Sequence, residues 1–317
     1  MKLDKKDFQI LYELDKNSRQ SNSQISKKLK TSPEVVNYRI KRLENNGIIS
    51  RYITIPQLYA LDIFQFKICL CLQNISPEKL LEKIEKLKKK DSVKWIVETK
   101  GVWDLVISLE AESLEQVDMI EDIVCSLFAM HIRKKSIAIL NYADAYTRDY
   151  LVEKIDRNRK RAIYCKTEKP ELTKKELDIF KELAKNSRIP IVDLAEKLGT
   201  TPRVIQYTIK KLEKSIITGY RIIPDYEKAN IKFTKLFIYL TKKDKESFKK
   251  IQVFLASSKY TNHYAKVLSD WDIEIELEAF NQEDIEKVVS EMKSRFSEEI
   301  NHLETIDIKK EHKFVYY

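Results

Sequence analysis

Apolar residues fall at helical spacing at the start of the chain, switch to sheet-like spacing from about residue 63, and then repeat the whole series. Over residues 4–17, Phe8, Leu11 and Leu14 lie three apart, on one face of a helix. Ile25 and Leu29 mark a second, shorter helix. Ser32 fits an N-cap, with Pro33 at the first helical position and Glu34 in the first turn. Val36, Ile40 and Leu43 follow at spacings of four and three, forming a single buried stripe, and Asn46-Gly47 ends the helix. Three short helices with a tight joint between the second and third predict a helix-turn-helix unit. The pattern then predicts a strand over 63–73, a helix over 77–89, strands over 93–100 and 103–111, a helix over 113–128 and a strand over 132–142. That order is βαββαβ, the ferredoxin-like split unit, with Lys100-Gly101-Val102 turning between the middle strands.

The chain is written twice. LDKKDFQILYELDKNSR at 3–19 matches LTKKELDIFKELAKNSR at 172–188, an offset of 169 that holds through ISKKLKTSPEVVNYRIKRLE and LAEKLGTTPRVIQYTIKKLE. One residue is then lost, and an offset of 168 relates ISRYITIP to ITGYRIIP and Trp103-Asp104 to Trp271-Asp272. The expected fold class is α+β: helix-turn-helix units, winged or plain, over 1–52 and 171–221, each followed by a ferredoxin-like domain, over 53–146 and 222–317. A basic, partly helical connector is expected over 147–170.

Charge follows these boundaries. The 317 residues carry a net +10. Residues 1–52 contribute +6, 171–221 contribute +4, the connector +4, and the two α/β units −2 each. Positive charge confined to the helical units and the connector supports a side that faces a polyanion. The four cysteines at 69, 71, 125 and 165 form no disulfide framework, and Cys69 and Cys71 share one strand face. No apolar run reaches membrane-spanning length and the first residues form no signal segment, so a cytoplasmic protein without membrane contact is expected. There is no Gly-rich phosphate loop and no HExxH, and the histidines at 131, 263, 302 and 312 are scattered; neither cofactor nor metal is expected.

The spacing LD-x-x-D-x-x-IL-x-x-L, a following N-x-R, and I-x-x-x-L-x-x-SP-x-x-V-x-x-RI-x-x-L-E-x-x-G-I-I resemble the Lrp/AsnC (feast/famine) transcription regulators, once in each half. Gly101-Val102-Trp103-Asp104 is similar to that family's Gly-x-aromatic-Asp turn. The resemblance implies double-stranded DNA as partner, pairing through the α/β domains, and a small effector such as an amino acid bound near Gly101, Trp103 and Asp104. The family ordinarily carries one copy per chain, so the tandem implies an internal pseudo-dimer, with higher assembly through any sheet edges left open. The second copy lacks a Gly47 equivalent and has Ser269-Asp270-Trp271-Asp272 at the turn.

On the helix capped by Ser32, the buried stripe leaves Glu34, Asn37, Tyr38 and Lys41 opposite, with Arg39 and Arg42 flanking. Behind Thr201 the matching positions are Arg203, Gln206, Tyr207 and Lys210, with Thr208 and Lys211 flanking. Asn pairs with adenine edges and Arg with guanine or phosphate, so unlike helices predict an asymmetric site. Tyr38 and Tyr207 are also readable as core rims. Two further readings stay open. Sirohaem decarboxylases resemble the same family, and His263 in Asn262-His263-Tyr264 resembles their strand histidine, although Lys266 stands where Arg is expected and the first copy has Trp95 at the matching position. The third reading is an interaction module that binds no DNA.

Overall fold

The computed structural model describes residues 2–156 and 158–315. Three helices open the chain. In α1 (Lys5–Lys16) the Asp4 side chain caps the Asp7 N–H, and Asp7 caps Asp4 in return. Helix α2 spans Asn22–Leu29 behind Ser21, and α3 spans Pro33–Asn45 behind Ser32. Strand β1 (Ile49–Pro56) follows, then β2 (Phe64–Leu72), α4 (Pro77–Lys88), β3 (Val93–Gly101), β4 (Leu105–Ala111), α5 (Leu114–Phe128) and β5 (Ile132–Tyr146). After a short strand β6 (Lys160–Tyr164), the second copy gives α6 (Lys174–Lys185), α7 (Ile191–Lys197), α8 (Pro202–Leu212) and β7 (Ile217–Pro224). It continues as β8 (Lys232–Leu240), α9 (Lys245–Ser257), β9 (Thr261–Leu268), β10 (Ile273–Ala279), α10 (Gln282–Arg295) and β11 (Ile300–Phe314).

The two α/β units join into one sheet of order β2-β4-β3-β11-β8-β10-β9-β5-β6, and β5 also pairs with β2. Eight strands therefore close into a barrel, with β6 appended. The long last strand of each unit does the joining. β5 pairs its first half with β2 and its second with β9, while β11 passes from β8 to β3. Closure pairs the strands of both α/β units into a ring, and the sheet edges left open for higher assembly are those of β6 and of the β1–β7 pair. Trp103 and Trp271, equivalent residues of the two copies, meet inside with ring centroids 6.0 Å apart. Helices α4 and α5 cover one outer face and α9 and α10 the other, each over an apolar core.

Three expectations change. β1 and β7 are extra strands that pair antiparallel with each other and cross the boundaries placed at 52 and 221. Strand β5 runs on to Tyr146, because its far half finds a partner in the other copy. The connector contains no α-helix among its described residues. It holds a 3-10 turn at Asp149–Leu151 and strand β6, because Arg148, Asp149 and Tyr150 are drawn into the core.

Candidate nucleic-acid interface

Each helical head sits on the other copy's wing. The Ser18 N–H donates to the Tyr220 carbonyl of β7, and the Ser187 N–H donates to the Tyr52 carbonyl of β1. The Thr54 hydroxyl on β1 reaches the Leu183 carbonyl of α6. The core of the first head includes Ile222, Ala229 and Ile231, and that of the second includes Ala60. The exchange relates α3 and α8, the helices expected to read DNA, by a pseudo-two-fold axis between the two heads.

Their outward faces follow the stripe argument. Val36, Ile40 and Leu43 are buried in α3, and Ile205, Ile209 and Leu212 in α8. Glu34, Asn37 and Lys41 are exposed on the first helix, as are Arg203, Gln206 and Lys210 on the second. Tyr38 is 64% exposed and Tyr207 73%, so both stand clear of the core. Ser32 and Thr201 accept the N–H groups of Val35 and Val204 as helix caps. The Asn37 Oδ1 accepts a hydrogen bond from Asn22 at 3.2 Å. Glu34 stays charged at the helix start, its carboxyl lowered by backbone and Ser32 hydrogen bonds.

The flanking cations have a different duty from the one expected. Arg39 bridges Asp4 and Asp7, each at 2.8 Å, and Arg42 chelates Asp7 at 2.7 Å. These carboxylates are the α1 capping box, so both arginines hold α3 against α1 instead of facing outward. In the second copy Lys211 makes the equivalent bond to Glu176 at 2.6 Å, and Thr208 is buried. The connector's excess charge is partly internal too, since Arg148 and Arg159 are buried.

The residues expected to hold an effector are taken up by the barrel joint. Gly101 (φ +141°) abuts β11, where a Cβ would collide with the Thr305 carbonyl. Trp103 is buried, and the Asp104 carboxylate accepts the Leu72 N–H at 2.7 Å. Asp272 does the same for Leu240 at 2.8 Å, so this turn is a repeated closure device.

A buried ionic network escaped the sequence reading. Arg148 bonds Asp15 at 2.6 Å and Glu278 at 2.7 Å, while Arg221 bonds Asp15 at 3.0 Å and Asn262 at 2.9 Å. Tyr150 and Tyr226 complete the shell of Glu278. Burial pushes the Asp15 carboxyl up, but Arg221 and Arg148 together hold it below its usual value. The network bolts the first head, the connector, the second wing and the second sheet together. The second head has no counterpart, because Ala184 and Ile53 occupy the positions equivalent to Asp15 and Arg221. An arginine in the apolar strand ITGYRIIP, where the other copy has Ile53, was the available signal.

Nearby, Lys67 and Lys235, also equivalents, converge on Glu274, and Lys235 reaches Glu276 at 3.0 Å. His263 lies beside them with an unpartnered Nδ1, its pKa pushed down to about 4, chiefly by burial. Lys67, Glu276 and His263 border a half-open cavity of about 80 Å³ that Trp95, Ser108 and Glu311 also line. That space holds a few waters, far below the ~300–1,000 Å³ of sites that enclose larger organic ligands. Lys266 points away, over the Phe248 ring on the helix side.

The winged helix-turn-helix DNA-binding family matches residues 3–50 and 172–215, one match per head. An uncharacterized HTH-type transcriptional regulator of Pyrococcus abyssi is 33% identical over 122 residues, 37% of this chain and 79% of that protein. The HTH-type transcriptional regulator LrpC of Bacillus subtilis is 32% identical over 126 residues, 37% of this chain and 81% of that protein. Among solved structures, the sirohaem decarboxylase NirDL superposes with a TM-score of 0.62 over 98% of this chain and 93% of its own, at 12% identity. That last likeness is one of fold. No helix of the described residues is long and apolar enough to cross a membrane.

Proposed function

The chain belongs to the Lrp/AsnC family of helix-turn-helix transcriptional regulators, and we propose that it binds duplex DNA as a covalent pseudo-dimer reading a site with two unlike halves. One observation carries this reading: both reading helices expose their outward faces, and those faces differ. Asn37 and Gln206 each have the amide that pairs with an adenine edge. Arg203 suits guanine or phosphate, whereas Glu34 at the equivalent position repels phosphate. Lys41 and Lys210 fit backbone contacts, which set affinity and orientation more than sequence. A dimer of identical chains must present two identical helices; fusion keeps the two-fold spacing and frees the halves to differ. Covalent linkage also makes pairing independent of dilution.

Fluorescence anisotropy on the duplex upstream of its own coding sequence, across a salt series, tests the proposal. Affinity that falls steeply with salt and exceeds that for a scrambled duplex by ~10³-fold supports it. Equal weak binding to both duplexes leaves a non-specific role, and no binding at low salt overturns it. An amino-acid effector belongs to the same reading. Melting temperatures measured with each of the twenty amino acids test that part, and no shift for any of them removes it. The cavity beside His263, at about 80 Å³, favours a regulator over an enzyme acting there on a tetrapyrrole.

A further inference from the structure

The internal repeat supplies its own control for surface composition. Offset 168 aligns α5 with α10 throughout: Val117, Val124 and Phe128 are buried, as are their equivalents Ile285, Met292 and Phe296. The outward positions do not correspond in kind. Leu114, Met119 and Ile123 are exposed on α5, with Met130 just beyond, the last 80% accessible. Their equivalents are Gln282, Lys287, Glu291 and Glu298. Val253 is the one large apolar side chain exposed on α9 or α10 among the described residues. Isolated exposed apolar residues need no explanation, but a cluster on one copy and polar residues at the same places on the other do.

Charge indicates what covers this face. Helix α5 carries Glu115, Asp118, Glu121 and Asp122 and no lysine or arginine. The adjoining α4 ends in Lys86-Leu87-Lys88, and Lys89 and Lys90 follow it. Lys86 and Lys88 are paired within α4, and Glu121 is paired with Lys135. Lys89, Lys90, Asp118 and Asp122 are exposed and form no ion pair among the described residues. An open groove between the helices is lined by Leu87, Ile123 and Leu127 with Lys90 and Asp122. A patch that is basic on one side, acidic on the other and apolar between is complementary to itself under two-fold rotation.

We infer that the α4–α5 face of the first copy is a self-association surface whose occupant is the same face of a second chain. Met119 and Ile123 of each chain cover the groove of the other, with Lys89 and Lys90 opposite Asp118 and Asp122. Because the second copy lacks the patch, the contact is isologous and closes at two chains, bringing four reading helices into one particle.

Sedimentation velocity of the full chain without DNA, across micromolar concentrations, reads the assembly directly. The wild type is expected to reach twice the chain mass. The double variant Met119→Lys/Ile123→Glu, which installs the residues of the second copy, should weaken association at least about tenfold with an unchanged melting temperature. Asp122→Lys alone should weaken it, and adding Lys90→Asp should restore it. A wild type that stays at single-chain mass overturns the inference, including in favour of a different protein as occupant. A double variant that still dimerises, or a Val253→Lys control that dissociates equally, also overturns it. None of these readouts depends on DNA binding.

Discussion

The Ser18 and Ser187 hydroxyls lie 2.6 Å apart in the buried seam between the two helical heads. They are the same residue of the two copies, 169 positions apart, so the bond sits on the pseudo-two-fold axis. Arg188 donates to the Ser18 carbonyl at 2.7 Å, and Arg19 donates to the Ser187 carbonyl in the symmetric sense. The seam fixes the two reading helices relative to each other, and hence the spacing of any two half-sites they read.

Removing one hydroxyl from this seam strands the other. Ser18→Ala should cost about 1–3 kcal/mol, because a fully buried Ser187 hydroxyl loses its partner. The double variant Ser18→Ala/Ser187→Ala should cost clearly less than the sum of the singles, since both polar groups are then gone. Urea unfolding of the four proteins in the cycle measures the coupling; strictly additive losses would contradict a direct bond.

Asp15 is the most exposing substitution in the first head. Its carboxylate is shared by Arg148 and Arg221, all three buried. Asp15→Ala leaves two guanidinium groups short of a counter-charge and should destabilise by about 3–5 kcal/mol. Ala184→Asp at the equivalent place has no arginine opposite it, because Ile53 stands there, and should be no more stable than wild type. Thermal unfolding of both variants checks the asymmetry.

The helices, the stripe Val36–Ile40–Leu43 and the repeat were legible because period and offset are local quantities. So was the βαββαβ order. The exchange of heads onto opposite wings was not, since β1 and β7 pair only after the two halves meet, and nothing within ISRYITIP names its partner. Arg39 and Arg42 looked like DNA contacts because helical geometry places them beside the exposed face. Their real partners, Asp4 and Asp7, lie 35 residues or fewer away on another helix. The connector was misread for a similar reason: Arg148 is polar in sequence and buried only because Asp15 and Glu278 converge on it.

Stability should carry two opposed pH signatures. His263 is pushed from 6.5 down to about 4 by burial, with Lys67 and Lys235 adding to the effect and Glu276 and Glu274 opposing it. The unfolded chain takes up a proton below pH 6.5 that the folded chain refuses until about 4, so this site costs stability as pH falls through that window. Glu110 is pushed from 4.5 up to about 7 by burial, against the pull of Lys94. Its contribution is full below pH 4.5 and is lost as pH rises to about 7. His263→Gln should flatten the loss between pH 6.5 and 4, by about 3 kcal/mol at most, and Glu110→Gln should flatten the opposite slope. Urea midpoints at half-unit pH steps decide it; parallel curves for wild type and His263→Gln would show that the imidazole protonates freely in the fold.

The flanking and outward cations should separate by assay. Lys41→Ala and Lys210→Ala remove exposed groups, so each should lower the salt slope of DNA binding by about 1 with little change in melting temperature. Arg42→Ala removes the chelation of buried Asp7 and should lower stability, with any loss of DNA affinity following from a loosened α3. Lys211→Ala should do the same more weakly, because Lys211 makes a single bond to Glu176 and the pair is partly exposed. Exchanging outward residues tests the unlike halves. Glu34→Arg with Asn37→Gln makes the first helix resemble the second at two positions, and should shift preference toward a more symmetric duplex. Footprints of wild type and exchange variant on an asymmetric site and its two palindromic derivatives would show it. An unchanged ranking of the three duplexes would mean that these side chains do not touch the bases.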